Sequence, residues 1–515
     1  MNATVRTLGD DAPRAGAVPR LWFAGARDSA CIADLIMGVA FVGLMAIGIA
    51  HHQMWRDETN AWGIVLASPT LPTLFHHLHY EGHPGLWHLL LWCAARVTSD
   101  PAAIKVVQGI IAAAFIALIA FRSPFSRLEK VLLLLNYYAV FEYAVISRNY
   151  GIGLLLALIY VDLRLRRPDR LITAALVLGL LANTNIYATI LSCALACELA
   201  LDRLVTRRGS VLQTVRELAP GAAVFIGCLV VCAATIMPAP DLSWRTTHRP
   251  FEHALDCVQL TKVLIGYLGI GVVPAFAALP APTSISMALS DLALVALLWC
   301  ALIRTFRRDW RSLATLGLTA IGATTFGQLI YPGSPRHWGI VFVAFVVALW
   351  MQRYRRPGHA LTTVTVLWLG AVAGGIFWVF AALHPFSNAS AAATWLEDHN
   401  MRDAAIIGSP DTSTAGVAEL LGRPIYFLDC SCVDTFLWFQ KRRDDYRAEQ
   451  FPTRLVAAVA WAGTRPTVLV DDHPVTGQQR DALSAHGIHL ERLADFTGAI
   501  EAGEDFYLYR VAHQP

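Results

Sequence analysis

Apolar residues in this chain fall into long stretches that recur from residue 34 to residue 383. A helix needs roughly 20 apolar residues to cross a hydrocarbon core about 30 Å thick, and several of these stretches reach or approach that length. Hydrophobic residues make up 56% of the 515 residues, whereas charged residues make up only 15%. The pattern predicts an all-α polytopic membrane domain over residues 34–383, not a soluble domain with a large core.

The first apolar segment, residues 34–50, follows an N-terminal segment that contains four arginines. It lies too far from the N-terminus for a signal peptide, and its flanks lack a small-residue cleavage pattern. We therefore expect 34–50 to be a retained first span. Residues 1–33 are then a cytoplasmic N-terminal segment in a protein of the cell inner (plasma) membrane.

Arginine-rich loops indicate the orientation, because short cytoplasmic loops are enriched in Lys and Arg. With those loops inside, the first loop 51–82, the loop 238–262 and all residues after His384 fall on the extracytoplasmic side. The candidate functional residues then share one face of the membrane. The plainly basic interior loops are 164–170, 202–216, 304–311 and 353–359.

This orientation requires that two apolar pieces, 83–98 and 263–280, do not each cross the membrane, so we expect them to be interfacial or re-entrant. About eleven transmembrane helices then remain. Two crossings, near 171–183 and 187–201, look short and meet at a polar junction, residues 183–185. That junction is either an ordinary hairpin turn or irregular backbone that lines a wet cavity.

The composition changes after His384. Residues 397–515 alternate short strand-like runs with amphipathic stretches, which is typical of a small α/β domain. We expect this domain, residues 384–515, to be extracytoplasmic and to contain no catalytic group. Its Asp471-Asp472-His473 run either binds a cation or marks a strand-to-turn junction. The strand-like runs are 404–408, 424–428, 467–470 and 506–511.

Cysteine spacing and net charge narrow the possible ligands. Most of the ten cysteines lie in apolar segments, where cysteine behaves as a small hydrophobe. Cys430 and Cys432 are separated by one residue, so a disulfide between them would be strained, and no zinc-binding spacing is present. We predict no structural metal. The net charge of +3 is modest and no basic tract contains interleaved aromatics, so we expect no nucleic acid partner.

Two adjacent carboxylates, Asp57 and Glu58, stand where the first span meets water. A carboxylate at that depth is costly unless it is paired or wet, which makes it a functional candidate. Neighbouring residues on a helix point about 100° apart, so usually only one can face a given cavity. We predict Asp57 as the main catalytic residue, with Glu58 supporting it in the catalytic site or binding a cation. The alternative is an interfacial acid that forms a salt bridge with Arg56.

The next apolar stretch opens with a turn-forming Gly82-His83-Pro84-Gly85 sequence. Pro84 suits the first turn of a helix, because its missing N–H would be unpaired there. His83 is also the last of four closely spaced histidines. Their spacing matches no known metal-binding helix, so interfacial histidines are favoured over a metal cluster. The four are His76, His77, His79 and His83.

Two arginines, Arg148 and Arg336, occur at span ends on the outer face, against the positive-inside trend. Arginine is always charged and offers a planar fork of donors that suits phosphate. Either arginine alone is more often an interfacial anchor. Together with Asp57 they predict a site for a lipid-linked phosphate. Weaker candidates of the same kind are Arg245, Arg249 and Lys262.

These motifs together resemble those of the GT-C superfamily of membrane glycosyltransferases. They are an Asp-Glu pair after the first span, a Tyr-Glu-x-His-Pro segment before the next apolar stretch, an Arg-x-Tyr at a later span start, and a C-terminal extracytoplasmic α/β domain. The pattern is most similar to the protein O-mannosyltransferase-like and lipid A aminoarabinose transferase-like branch. The resemblance covers most of the chain as architecture.

The resemblance implies transfer of a hexosyl or pentosyl group from a polyprenyl-phosphate donor to a lipid, glycan or protein acceptor on the periplasmic side. Asp57 would be the general base. Glu81 and His83 would line the donor site together with Tyr331, while Arg148 and Arg336 would neutralise the leaving polyprenyl phosphate. No cofactor is firmly implied, although a divalent cation at Asp57 and Glu58 is compatible with the superfamily.

The same chemistry follows from the residues alone, without the family resemblance. A sugar on phosphate already has a good leaving group, so the protein must deprotonate the acceptor and stabilise the phosphate charge. Two alternatives stay open. A multi-span lipid or solute transporter or flippase would show internal repeats and midplane charges, which are not evident. A scaffold for envelope assembly would give Asp57, Arg148 and Arg336 no shared purpose.

Overall fold

A computed structural model describes residues 24–206, 210–243, 251–279, 282–358, 360–440, 443 and 446–513. The expectation for residues 1–23 of the N-terminal segment lies outside these residues. The part before His384 is helical throughout. Its helices are α1 (Ala24–His51), α2 (Arg56–Leu66), α3 (Leu71–Leu78), α4 (Leu86–Ala95), α5 (Ala102–Arg122), α6 (Arg127–Leu134), α7 (Asn149–Arg166), α8 (Leu171–Ala182), α9 (Ile186–Thr206), α10 (Val211–Ile236), α11 (Cys257–Leu264), α12 (Ile285–Phe306), α13 (Trp310–Leu329), α14 (Pro335–Trp338), α15 (Ile340–Arg355) and α16 (Leu361–Leu383).

Within the described ranges, five helices are long and apolar enough to cross a membrane by length and composition. The protein is therefore an integral membrane protein. The predicted total of about eleven transmembrane helices stays a prediction. The five candidate spans are Cys31–His51, Ala102–Arg122, Val211–Ile236, Ile285–Phe306 and Leu361–Leu383.

Helix α15 forms the centre of this domain. Every residue from Ile340 to Met351 is buried, so the helix is apolar on all sides and other parts of the protein surround it. At its predicted cytoplasmic end, Arg353 pairs with the buried Glu129 at 2.6 Å. The ion pair satisfies a charge that would otherwise be costly inside the protein.

The two pieces that we expected not to cross the membrane form only short helices. Helix α4 has 10 residues, which at about 1.5 Å per residue is half the thickness of a hydrocarbon core. Residues after α11 continue as a π-helix, Ile265–Ile270, and a 3₁₀-helix, Pro274–Ala278. Neither piece offers a helix long enough to span.

Helices α8 and α9 meet at the predicted polar junction, which is a tight turn closed by side chains. The Asn183 amide donates to the carbonyl oxygens of Gly179 and Cys228 at 2.8 and 2.9 Å. Asn185 begins α9 by accepting a hydrogen bond from the backbone N–H of Ala188 at 2.9 Å. The junction therefore has the hairpin form of the first alternative.

The C-terminal domain is a mixed sheet with helices, as predicted. Strand β1 is central and pairs in parallel with β2 and β4, in the order β3-β2-β1-β4-β6-β5. Its helices are α17 (Ala389–Asp398), α18 (Asp411–Leu420), α19 (Phe451–Ala462) and α20 (Gly477–Ser484). Its strands are β1 (Ala405–Ser409), β2 (Ile425–Phe427), β3 (Cys432–Asp434), β4 (Thr467–Asp471), β5 (Ile488–Phe496) and β6 (Phe506–His513).

A disulfide joins Cys430 and Cys432. Ser431 has φ of 49°, which reverses the chain sharply between β2 and β3. The two Cα atoms are 5.2 Å apart, within the usual range for a disulfide. A turn of this kind was not apparent from a one-residue spacing.

Helix α18 packs directly on α2, so the C-terminal domain lies against the first loop. Gly63 allows this approach, because a Cβ there would lie 2.7 Å from both Glu419 Oε2 and Phe436 Cβ. The backbone N–H of Leu437 also donates to the Asn60 side chain at 2.8 Å. The first loop and the C-terminal domain thus form a common wall.

Candidate functional site

A cavity of about 830 Å³ lies between the helical domain and the C-terminal domain. Charged, aromatic and apolar side chains all line it. Six of the predicted site residues line it. These are Asp57, Glu81, His83, Arg148, Tyr331 and Arg336.

Asp57 is held between two guanidinium groups. Its Oδ2 is 3.4 Å from Arg148 Nη2 and 3.5 Å from Arg336 Nη2. Burial alone would raise the pKa of the Asp57 carboxyl, but the charges of Arg148 and Arg336 outweigh burial and lower it. Asp57 is therefore ionised. Residues far apart in the sequence meet here as the motifs predicted.

Both arginines make further contacts that hold their side chains in place. Arg148, at the N-terminus of α7, donates through Nη1 to the Asp57 carbonyl oxygen at 2.5 Å. The Arg336 guanidinium lies 4.6 Å from the centre of the fully buried Trp55 ring. Burial would lower the pKa of Arg336, but Asp57 raises it, so this side chain keeps its charge. The two cations are thereby fixed in place toward the cavity.

Glu58, predicted to support Asp57, does not line the cavity. It is fully buried on the other side of α2 and accepts bonds from His52 Nε2 at 2.7 Å and Ser147 N–H at 2.6 Å. The backbone N–H of Trp55 donates to the same carboxylate at 3.2 Å. Glu58 fixes the start of α2, and the two adjacent acids face different surroundings because of the helical turn.

A divalent cation shared by Asp57 and Glu58 does not fit this arrangement. The Glu58 oxygens already receive hydrogen bonds from His52, Ser147 and Trp55. Only Asp57 presents its carboxylate to the cavity.

Arg56, the alternative partner for Asp57, instead faces the C-terminal domain. Its guanidinium is 3.8 Å from Glu504 and 4.0 Å from Glu501. Burial raises the pKa of the Glu504 carboxyl to about 7, although Ser387 and Arg56 both act to lower it. The ion pairs join α2 to the chain between β5 and β6.

Glu81 lies in the cavity beside Asn60. The Asn60 amide donates to Glu81 Oε1 at 2.8 Å, while its carbonyl oxygen accepts from Leu437 N–H. Burial raises the pKa of the Glu81 carboxyl to about 7, against the lowering effects of Arg148 and Asn60. A carboxyl group with a pKa near neutrality can exchange a proton under physiological conditions.

His83 also faces the cavity, with Nδ1 2.9 Å from the Glu81 carbonyl oxygen. Burial and the charge of Arg148 lower the pKa of His83 to about 4, so the ring is neutral. The other histidines nearby have separate partners. His77 contacts Ser68 and His79 contacts the Met237 carbonyl, so these ring nitrogens do not converge.

Aromatic residues to which the sequence assigned no individual role also line the cavity. Tyr150, Tyr187 and His337 line the cavity together with the predicted Tyr331. Tyr150 belongs to the Arg-x-Tyr motif, whereas no spacing set Tyr187 and His337 apart from the many other aromatic residues of the chain. Asn185 from the α8–α9 junction also lines the cavity, so the turn borders it as well.

The C-terminal domain contributes Thr412, Ala415, Leu437 and Phe439 to the wall. No titratable group of that domain lines the cavity, within the residues that the structure describes. Asp471, Asp472 and His473 lie at the end of β4 with their ligand atoms within 4.8 Å of one another. Asp472 accepts a hydrogen bond from Ser413 at 2.8 Å, and the three residues lie outside the cavity.

The weaker candidates do not reach the cavity in the described part of the chain. Lys262, at the end of α11, is not among the lining residues. Arg245 and Arg249 lie outside the residues that the structure describes.

No protein-family model matches the chain, and no curated protein matches it. Among solved structures, it is similar to ArnT from Cupriavidus metallidurans in the apo state, with a TM-score of 0.50 at 10% sequence identity over 94% of this chain and 98% of that one. It is also similar to ArnT from Cupriavidus metallidurans bound to undecaprenyl phosphate, with a TM-score of 0.44 at 13% identity over 95% and 98% of the two chains. The apo structure shows that this chain has the ArnT fold over nearly its whole length, which confirms the fold predicted from the motifs.

Proposed function

We propose that the protein is an integral-membrane glycosyltransferase that moves a sugar from a polyprenyl-phosphate donor to an extracytoplasmic lipid, glycan or protein. One observation carries the proposal: Arg148 and Arg336 meet the Asp57 carboxylate inside a cavity. Paired guanidinium groups bind phosphate, and a carboxylate beside them can accept a proton from a hydroxyl. The shared fold with ArnT and the motif resemblance to GT-C enzymes agree with this function.

The charged and the apolar lining residues suit the phosphate and the lipid of such a donor, respectively. Arg148 and Arg336 would bind the phosphate. The first isoprene units of the lipid would contact three apolar lining residues, Ile186, Phe326 and Ile330. Ile330 is 40% exposed at the end of α13, so a lipid chain could continue from the cavity toward the membrane.

The reaction follows from these positions. The acceptor oxygen attacks the anomeric carbon and forms the new glycosidic bond, while the bond from that carbon to the phosphate oxygen breaks. The proton of the acceptor hydroxyl passes to the Asp57 carboxylate. The electron pair of the broken bond stays on the polyprenyl phosphate, whose charge the two guanidinium groups stabilise.

Donor binding would also make Asp57 a better base. In the absence of donor, Asp57 is the anion that Arg148 and Arg336 face at 3.4 and 3.5 Å. A phosphate group that binds both arginines shares their positive charge, so the pKa of Asp57 rises toward its ordinary value. Glu81 is a second candidate base, because it faces the same cavity and its pKa is already about 7.

The test is transfer of label from a panel of radiolabelled polyprenyl-phosphate hexoses and pentoses into lipid, glycan and protein fractions. We expect the intact protein to transfer label and Asp57→Asn to transfer at least about a hundredfold less. Asp495→Asn is the control, because Asp495 is a surface carboxylate paired with Arg492.

The labelled fraction identifies the acceptor class, and the active donor identifies the sugar. No transfer from any donor would contradict the proposal and favour a lipid or solute transporter. Equal transfer by Asp57→Asn would remove Asp57 as the base while leaving the enzyme in place.

A further inference from the structure

Two histidines face the cavity, and the backbone fixes a different tautomer for each. His83 Nδ1 lies 2.9 Å from a carbonyl oxygen, which can only accept, so Nδ1 carries the hydrogen. His337 Nδ1 lies 2.9 Å from the backbone N–H of Ser334, which can only donate, so Nδ1 is bare. The neutral rings therefore present opposite groups at Nε2, an acceptor on His83 and an N–H donor on His337.

Three tyrosine rings surround the His337 ring. The ring lies in helix α14, and its centre is 4.9 Å from that of Tyr187, 5.5 Å from that of Tyr331 and 5.7 Å from that of Tyr150. All four side chains line the cavity. Within the described part of the chain, no group accepts a hydrogen bond from His337 Nε2. The N–H therefore requires an acceptor from a ligand or water.

Arg336, the residue before His337, lines the same cavity, and its Nη2 lies 3.5 Å from Asp57 Oδ2. One short helix thus presents a cation for phosphate and a neutral donor about 100° further around the helix axis. Burial and the neighbouring charge of Arg336 lower the pKa of His337, so the ring is neutral.

Aromatic walls with neutral hydrogen-bond donors suit a sugar ring. The C–H faces of a sugar pack against tyrosine rings, and its hydroxyl oxygens accept hydrogen bonds. Among the described lining residues, three guanidinium groups (Arg56, Arg148 and Arg336) outnumber two carboxyl groups (Asp57 and Glu81), so a sugar with an ammonium group would enter a site with excess positive charge. The chemistry therefore favours an uncharged sugar.

We propose that His337 is a specificity-determining residue of the donor site, whose Nε2–H donates to a hydroxyl of an uncharged donor sugar packed among Tyr150, Tyr187 and Tyr331. This inference rests on the proposed function, because it assigns the sugar part of the same donor. It predicts that His337 contributes to binding of the sugar and not to binding of the phosphate.

The experiment measures the affinity of the full chain in lipid nanodiscs for two ligands: a polyprenyl-phosphate-linked neutral sugar and the bare polyprenyl phosphate. We expect His337→Phe to weaken binding of the sugar-bearing ligand about tenfold and leave the bare phosphate unchanged. His337→Gln, which keeps an N–H donor, should retain most of the affinity. His399→Phe, outside the cavity, is the matched histidine control.

Deoxy analogues of the sugar provide a second measurement, in which each protein is compared only with itself. One of them should bind the unchanged protein about tenfold more weakly, yet bind His337→Phe no more weakly than the full sugar does. Equal losses for both ligands in His337→Phe would overturn the proposal, as would unchanged affinity for both. Wild-type protein that binds the two ligands equally would also overturn it.

The outcomes separate this inference from the proposed function. If the sugar binds through His337 but no sugar is transferred to acceptors, the proposed glycosyltransferase activity is contradicted and the proposed sugar site stands. Transfer with no dependence of sugar binding on His337 would leave the enzyme and remove the assignment of His337.

Discussion

The backbone N–H of Ser147 donates to Glu58 Oε1 at 2.6 Å. This bond joins the first turn of α2 to the residue before Arg148, and so holds the Arg148 guanidinium next to Asp57. Two adjacent acids thus have separate roles: Glu58 positions the backbone, and Asp57 faces the cavity.

Substitutions at the two acids should therefore have different consequences. We expect Glu58→Ala to lower the free energy of unfolding by about 3–5 kcal/mol, because it leaves buried donors of His52 and Ser147 without their anion. Asp57→Asn should lower the melting temperature less than Glu58→Ala does, because Asp57 lines the cavity whereas Glu58 is fully buried, and should reduce transfer by about 10²- to 10⁴-fold. Thermal unfolding and transfer assays on both variants would check this. A lower melting temperature for Asp57→Asn only would contradict the assignment.

Arginine geometry should matter at Arg148 and Arg336, not only charge. Replacing either by lysine keeps one positive charge but removes the planar fork, and the replacement of Arg336 would also remove its stacking on Trp55. We expect Arg148→Lys and Arg336→Lys to raise the KM for the donor about tenfold or more, with a smaller effect on the KM for the acceptor. Arg122→Lys, in an exposed pair with Asp162, is the control. A rise confined to the acceptor KM would place the phosphate elsewhere.

The sequence was sufficient to predict the membrane domain, the C-terminal α/β domain and most charged groups of the cavity. Charges at span ends are few, so Asp57, Arg148 and Arg336 were conspicuous. The separate placement of Glu58 was not predictable in detail, because it depends on bonds from His52 and Ser147.

Other features depend on contacts that the chain forms only when folded. Strand β3 has three residues, too few for a recognisable pattern, and β5 carries charged residues on its exposed positions. The aromatic wall around His337 was hidden for a different reason. Its members come from α7, α9 and the segment around α14, and nothing in their spacing indicates that they meet.

The pH dependence of transfer should report the Glu81 carboxyl. If deprotonated Glu81 accepts a hydrogen bond from the reacting hydroxyl, kcat/KM rises as the pH increases through about 7, the pKa of Glu81, and then levels. Glu81→Gln should remove this rise. Asn60→Ala should move it to higher pH, because the Asn60 hydrogen bond lowers the pKa of Glu81. A rise that persists in Glu81→Gln would assign the titration to another group.

Docking of the C-terminal domain should depend on Gly63. Gly63→Ala places a methyl group 2.7 Å from Glu419 Oε2 and Phe436 Cβ, so α18 and the loop before Leu437 must move away from α2. We expect a loss of about 1–3 kcal/mol in the free energy of unfolding, as for other overpacked sites. Acceptor use should fall more than donor binding, because the wall that moves carries no phosphate-binding arginine. Gly375→Ala is the matched control, since no atom lies within 4 Å of its added Cβ and Ala is the better helix former. If Gly63→Ala left both stability and acceptor KM unchanged, the close packing of α2 against α18 would not be needed to complete the cavity.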